Sequence, residues 1–93
     1  MLNNKLSSDF IVFLRIYEYN LKNEPIWFSK LKHVLEGEVE NVSKYLDYLF
    51  DIGMIEAHWE QLEGKWTRCF KVTDEREPLA KALYNNSIEC DKE

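Results

Sequence analysis

Residues 41–55, NVSKYLDYLFDIGMI in one-letter code, constrain the fold more than any other part of the chain. Val39, Val42, Leu46 and Leu49 recur at helical spacing, and Tyr45 and Phe50 widen the same stripe. The segment therefore reads as an amphipathic helix over about residues 39–52. Gly53 stands where a left-handed C-terminal cap is needed, a conformation glycine adopts without steric cost. Met54 and Ile55 then open a strand. A helix stopped by glycine and turned directly into a strand leaves few arrangements for the rest of the chain.

The rest punctuates cleanly. Residues 54–61 and 65–73 read as two arms of a hairpin joined around Leu62, Glu63 and Gly64, with Phe70 and Val72 alternating against Cys69 and Lys71 as in a half-buried strand. Upstream, residues 8–22 form a helix capped by Ser7 or Ser8, with Asp9 in its first turn. Phe10, Phe13, Leu14, Tyr17 and Leu21 make one apolar stripe, and Ile11, Val12, Ile16 and Tyr19 occupy much of the remaining circumference. A helix apolar on two sides must be buried on two sides. In a chain this short the second face is expected to meet another subunit, giving a homodimer interface of Ile11, Val12, Ile16 and Tyr19, with Leu83 and Tyr84 from the last helix.

Asn23, Glu24 and Pro25 break the first helix, and residues 26–28 are β-prone, a minor strand beside the hairpin. Ser29 is placed to cap a second helix over residues 30–36, with Leu31, Val34 and Leu35 inward, and Gly37-Glu38 makes the turn into the third. Asp74 and Glu77 suit the start of a last helix that tolerates Pro78 in its first turn. Leu79, Ala82 and Leu83 are its expected apolar stripe, extended by Tyr84 and Ile88. One domain over residues 8–84 and a polar tail over 85–93 follow, with an α+β, mainly helical order of α-(β)-α-α-β-β-α.

Composition bounds what such a domain can do. At 93 residues the chain holds one modest core, and 45% apolar content favours a packed globule over disorder. No apolar run approaches the roughly 18 residues of a membrane-spanning helix. The N-terminus also lacks a signal peptide's order of charge and then apolar run. A cytoplasmic protein is expected, in the host cytoplasm if the source is a virus. Cys69 and Cys90 read by default as reduced thiols; the alternative is a disulfide, within one subunit or between two. His33, His58 and the cysteines show none of the close-pair spacings of a zinc site, so no metal and no cofactor are expected. There is no phosphate-binding glycine loop, no His/Glu metal pair and no nucleophile motif, which argues against an enzyme. Trp27, Trp59 and Trp66 could line a pocket for a small-molecule effector, but no convergent polar groups accompany them.

The order of elements, with the Val-Ser-x-x-Leu-x-x-Leu-x-x-x-Gly-apolar-Ile pattern around the third helix, resembles the winged helix-turn-helix family over nearly the whole chain. Within it the sequence is most similar to small regulators of the MarR and PadR kind and to compact dimeric winged-helix proteins of archaea and their viruses. One departure is Arg76, where relatives often carry Gly before the last helix. The resemblance implies double-stranded DNA as partner, with the third helix in a major groove and the hairpin wing on the backbone or minor groove. The residues opposite the apolar stripe, Glu40, Asn41, Ser43, Lys44, Asp47 and Tyr48, would then face base edges. Ser29, Lys30 and Lys32 at the second helix, and Lys65, Arg68 and Lys71 on the wing, would meet phosphate.

The charge balance supports a rival reading. The net charge is −5, whereas DNA-binding domains usually show a basic face. Glu36, Glu38, Glu40, Asp47 and Asp51 cluster around the third helix, which would suit a basic protein partner bound by the same fold.

Overall fold

The computed structural model describes residues 7–91, with side chains through residue 86. Four helices and one hairpin follow in the order α1 (Ser8–Leu21), α2 (Phe28–Val34), α3 (Val42–Asp51), β1 (Ile55–Leu62), β2 (Lys65–Val72) and α4 (Glu77–Asp91), with a 3-10 turn at Asp74–Arg76 before α4. The α+β order expected from the sequence is the one observed. The strand expected at residues 26–28 is reduced to a single antiparallel bridge between Trp27 and Cys69. Among the described residues no helix is long and apolar enough to cross a membrane.

The glycine stop after α3 works as anticipated. Gly53 has φ +76; its N–H donates to the Phe50 carbonyl at 3.1 Å, and the Met54 N–H reaches back to Leu49 at 2.9 Å. These are the paired bonds of a Schellman cap, and the buried Leu49 and Met54 supply the apolar contact that accompanies it. The Thr73 hydroxyl then donates to the Gly53 carbonyl at 2.9 Å, and the Thr73 N–H to Met54 at 3.1 Å, closing the root of the hairpin. At the other end Glu63 and Gly64 both have positive φ, 51° and 81°, which makes the two-residue type I′ turn that matches strand twist.

A two-stranded sheet leaves the outer edge of β2 with unpaired backbone groups. The Phe70 N–H donates to the Ile26 carbonyl at 2.9 Å. Asn20, at the end of α1, serves two more: its Nδ2 donates to the Phe70 carbonyl at 3.3 Å and its Oδ1 accepts the Val72 N–H at 2.9 Å. One side chain thus stands in for a strand residue and fastens α1 to the hairpin.

Element starts differ from expectation for identifiable reasons. Trp27, held extended by its bridge to Cys69, is the N-cap of α2, so the helix begins at Phe28 and Ser29 lies inside its first turn instead of capping it. Helix α3 starts at Val42, not Val39, because Gly37 (φ 85) and Asn41 (φ 61) are both left-handed and the Glu38 and Val39 N–H groups return to Leu35. Ser7 is the N-cap of α1, but its hydroxyl donates to the Asp9 carboxylate and accepts no capping bond from a backbone N–H. No left-handed residue is needed before α4, so Arg76 serves where the resemblance expects glycine. Helix α4 continues to Asp91, through the segment expected as a polar tail.

The core answers the question of the two-sided first helix. Val12 and Ile16, expected at a dimer interface, are both 0% exposed within the single chain. Helix α1 packs against α3, β2 and α4 together, so its second apolar face is covered by its own chain. Ile11, Tyr19, Leu83 and Tyr84 are half-buried against the same core, and Tyr84 meets Tyr17 edge-to-face at 5.8 Å. The buried stripe of α4 is Ala80, Leu83 and Tyr84, one position on from the expected Leu79, Ala82 and Leu83; Leu79 and Ala82 are exposed. Both sets satisfy helical spacing. The small Ala80 lets the helix approach closely, and the tyrosine pair fixes the rotation.

Two substitutions test these contacts. A Cβ on Gly53 would meet nothing within 4 Å, so Gly53→Ala carries only the conformational cost, about 1–2 kcal/mol in urea unfolding; no loss would remove the cap from the account. Asn20→Ala strands two backbone groups of β2 and should cost about 1–3 kcal/mol. A shift of only a few tenths would show that water replaces the amide.

Candidate nucleic-acid interface

Helix α3 buries Val42, Leu46 and Leu49 and turns Ser43, Lys44, Asp47, Tyr48 and Asp51 to solvent. Tyr48 is 49% exposed although it is aromatic. Glu40 and Asn41 are exposed too, but they precede the helix. Asn41 occupies the N-cap position with φ 61 and ψ 49, and its side chain makes no capping bond, which leaves its amide available. Among the described residues Glu40, Asn41, Ser43, Asp47 and Tyr48 take part in no side-chain hydrogen bond or ion pair, and Lys44 only overlies Tyr45 at 5.5 Å. A groove of about 500 Å³ runs between α2 and the start of α3, with Lys32, His33, Glu40, Asn41 and Ser43 on its walls.

The expected phosphate contacts divide. Lys65 is exposed beside the hairpin tip, and Lys32 and Ser29 are exposed on α2. Lys30 is otherwise engaged: its Nζ lies 4.9 Å from the centroids of both Tyr19 and Trp27 and donates to the Pro25 carbonyl at 3.1 Å. Such a cage holds an ammonium inward. Lys71 sits at the hairpin base, 3.6 Å from Asp74. Helix α2, at seven residues, is too short to present a strong dipole to an anion. The clustering of Ser29, Lys30 and Lys32 into one anion site is therefore not what the structure forms.

The hairpin register sorts its side chains. Ile55, Ala57, Trp59 and Gln61 share a face with Val72, Phe70, Arg68 and Trp66. At the root that face joins the core through Ile55, Phe70 and Val72; towards the tip it carries Trp59 and Trp66, 63% and 66% exposed. Arg68 lies between the two regions, its guanidinium 5.0 Å from the Phe50 ring and 5.8 Å from the Phe70 ring, and those rings meet edge-to-face at 5.9 Å. A cleft of about 180 Å³ between α3 and the hairpin is lined by Ser43, Asp47, Phe50, Arg68 and Phe70 among others. Trp27 bridges to Cys69, whose side chain is on the opposite face of the hairpin from Trp59 and Trp66, so the three tryptophans do not converge on one pocket.

That opposite face holds His58, whose Nε2 lies 2.6 Å from the Glu60 carboxylate while its Nδ1 is buried without a partner. His33 is near Glu36 at 3.7 Å. Neither pairing was legible in the sequence beyond its spacing. No group of three or more His, Cys, Asp or Glu is placed to hold a metal among the described residues. Cys69 is a free, buried thiol, and the Cys90 side chain lies outside the described residues; no disulfide is formed among those described. Arg15 pairs with Glu18 at 3.6 Å and Glu38 at 3.2 Å, which neutralises part of the acidity near α3. Glu40, Asp47 and Asp51 find no such cation among the described residues.

The chain is similar to the crystal structure of the circadian clock associated protein Pex from anabaena, with a TM-score of 0.61 and 22% identity over 95% of this chain and 85% of that one. It is also similar to Pex from Synechococcus sp., with a TM-score of 0.55 and 20% identity over 89% of this chain and 83% of that one. The fold is a winged helix-turn-helix. No family model matches the sequence, and no curated protein does. At these identities the likeness is one of fold, with α3 as the third helix and the β1–β2 hairpin as the wing.

Burial pushes the Cys69 thiol pKa up, the Glu60 carboxylate adds to the rise, and Lys30 partly offsets it. Burial likewise raises the Tyr17 phenol, helped by Glu77 and Tyr84. In both groups the folded state favours the neutral form. Their contribution to stability is full below the ordinary thiol and phenol ranges and is lost as the pH climbs through the raised values. In a Cys90→Ser variant, Cys69 should resist iodoacetamide near neutral pH until the chain is unfolded. Rapid alkylation of the folded protein would contradict its burial.

Proposed function

We propose that the protein binds double-stranded DNA as a homodimeric transcriptional regulator, with α3 in the major groove and the wing on the backbone or minor groove. The observation that carries this reading is the free polar face of α3 and its N-cap. Asn41, Ser43, Lys44, Asp47 and Tyr48 are exposed together, with polar atoms unspent on internal bonds among the described residues. In this motif the N-terminal part of that helix reaches base edges. Asn41 suits adenine, Lys44 suits guanine or phosphate, and Asp47 can accept from cytosine N4. Lys32, Lys65 and Arg68 supply the sequence-independent attraction. Val12 and Ile16 are occupied in the core, so two copies would pair through the surface that α1 and α4 leave open, where Leu21 and Leu79 are exposed. The role assigned is binding, with no catalytic step.

A specific observation favours a second reading, a protein-interaction module for a basic partner. The carboxylates of Glu40, Asp47 and Asp51 are exposed on the same surface and meet no cation among the described residues, and there they would repel phosphate.

Selection from a random duplex pool, followed by anisotropy across a salt series, separates the two. A palindromic winner with half-sites roughly 34–36 Å apart fits the dimeric regulator; absence of enrichment, with feeble binding even at low salt, favours the protein partner. On the selected site, Lys65→Ala should weaken every sequence alike and flatten the salt slope by about one unit. Asn41→Ala should relax preference at a single base pair, at about 1–3 kcal/mol. Uniform loss across sequences would strip Asn41 of its reading role.

A further inference from the structure

From the tip of the hairpin we infer a second nucleic-acid contact, a stacking site for unpaired bases made by Trp59 and Trp66, with Lys65 and Arg68 on the phosphates. The inference rests on the DNA-binding reading and adds to it the form of nucleic acid that the wing takes. Both indoles lie on one face of the hairpin, the face that continues into α3, and both are about two-thirds exposed. Neither stacks on another ring among the described residues. A large apolar ring left bare is costly in water and informative when a second one stands beside it.

Their register makes them diagonal neighbours: Trp59 faces Arg68 directly, and Trp66 faces Gln61. Such positions are about 7–8 Å apart, roughly twice the 3.4 Å spacing of stacked bases. Arg68 stands across from Trp59 with its cation turned back onto Phe50 and Phe70, and Lys65 stands on the other face of the strand at the tip, so the two indoles have one cation on the root side and one at the hairpin end. Bare indoles flanked by cations are the combination that holds single strands, because every base offers a π-face and every nucleotide a phosphate.

Charge selects this occupant. The duplex-facing surface of α3 carries Asp47 and Asp51 against Lys44, whereas the inner face of the wing carries Arg68 and no acid. A base-paired helix hides its π-faces and brings its densest charge against α3. A fork, bubble or single strand lays exposed bases on Trp59 and Trp66 in the outer part of the wing, beyond the cleft that Asp47 shares with Arg68.

The test titrates the full chain at low salt with a fluorescein-labelled oligo-dT strand, a matched duplex, and a duplex forked into two unpaired arms, reading anisotropy and, with unlabelled DNA, indole emission. The expected result is quenched emission with the strand and the fork, and roughly ten- to a hundredfold weaker binding of both by Trp59→Ala and Trp66→Ala. Duplex affinity should fall less, and Trp59→Phe, which keeps a stacking ring, should recover much of the loss. Circular dichroism of each variant checks the fold, which these exposed positions should leave intact. Duplex binding that survives both alanine variants, with unquenched emission and no loss on strand or fork, overturns the stacking site and leaves the DNA reading standing. No binding to any of the three overturns both. A mass that doubles with protein concentration alone and returns to a single chain in Trp66→Ala assigns the indoles to a second copy and overturns the proposal.

Discussion

The outer edge of β2 is the constraint on which the rest of the structure depends. A two-stranded hairpin is marginal alone in water, and this one must point away from the core to serve as a wing. Its root is therefore fastened by groups outside the hairpin: the Ile26 carbonyl on Phe70, and the Asn20 amide on Phe70 and Val72. Those bonds fix α1, the 25–27 segment and the hairpin as one body. Once they are set, the extended Trp27 can start α2 only at Phe28, and the Gly53 cap brings α3 to the other side of the same root. The position of α3 relative to the wing is thus a consequence of backbone bonding as much as of core packing.

Charge and aromaticity are divided along this body. Helix α3 is acidic on balance, with Asp47 and Asp51 against Lys44, while the hairpin carries Lys65, Arg68 and the exposed rings of Trp59 and Trp66. Arg68 joins the two halves by packing on Phe50, in the last turn of α3, and on Phe70, in β2. A net charge of −5 would by itself suggest a surface without nucleic-acid contacts. The local pattern is what matters, since screening at physiological salt confines most surface electrostatics to within about 8 Å.

Much of the fold was legible because periodicity and glycine report backbone demands directly. The stripe Val42, Leu46 and Leu49 and the stop at Gly53 belong to this kind, and the exposed face of α3 follows from its buried one. Less was legible where one spacing fits two answers. Leu79-Ala82-Leu83 and Ala80-Leu83-Tyr84 are equally helical, and only the packing of Tyr84 on Tyr17 distinguishes them. The apolar surplus of α1 was visible, but not that α4 of the same chain covers it. Asn20 carried no signal, being an ordinary polar residue near a helix end. Lys30 looked like a free cation because its cage needs Tyr19 from α1 and the turn of the chain that brings Trp27 and the Pro25 carbonyl back over the ammonium. The wing tryptophans were visible as residues, but their shared face depends on a register set by the Glu63-Gly64 turn.

The free edge of β1 has a consequence for how the molecule behaves in concentrated solution. With β2 occupied at its root, β1 is the edge on which another chain could add a strand. Glu56, exposed, and Glu60, half-buried beside His58, stand along it. Two wings meeting edge to edge would bring these acids against their own copies, and like charges facing across a strand pair repel. Glu56 and Glu60 therefore guard the hairpin against polymerising with itself through its open edge.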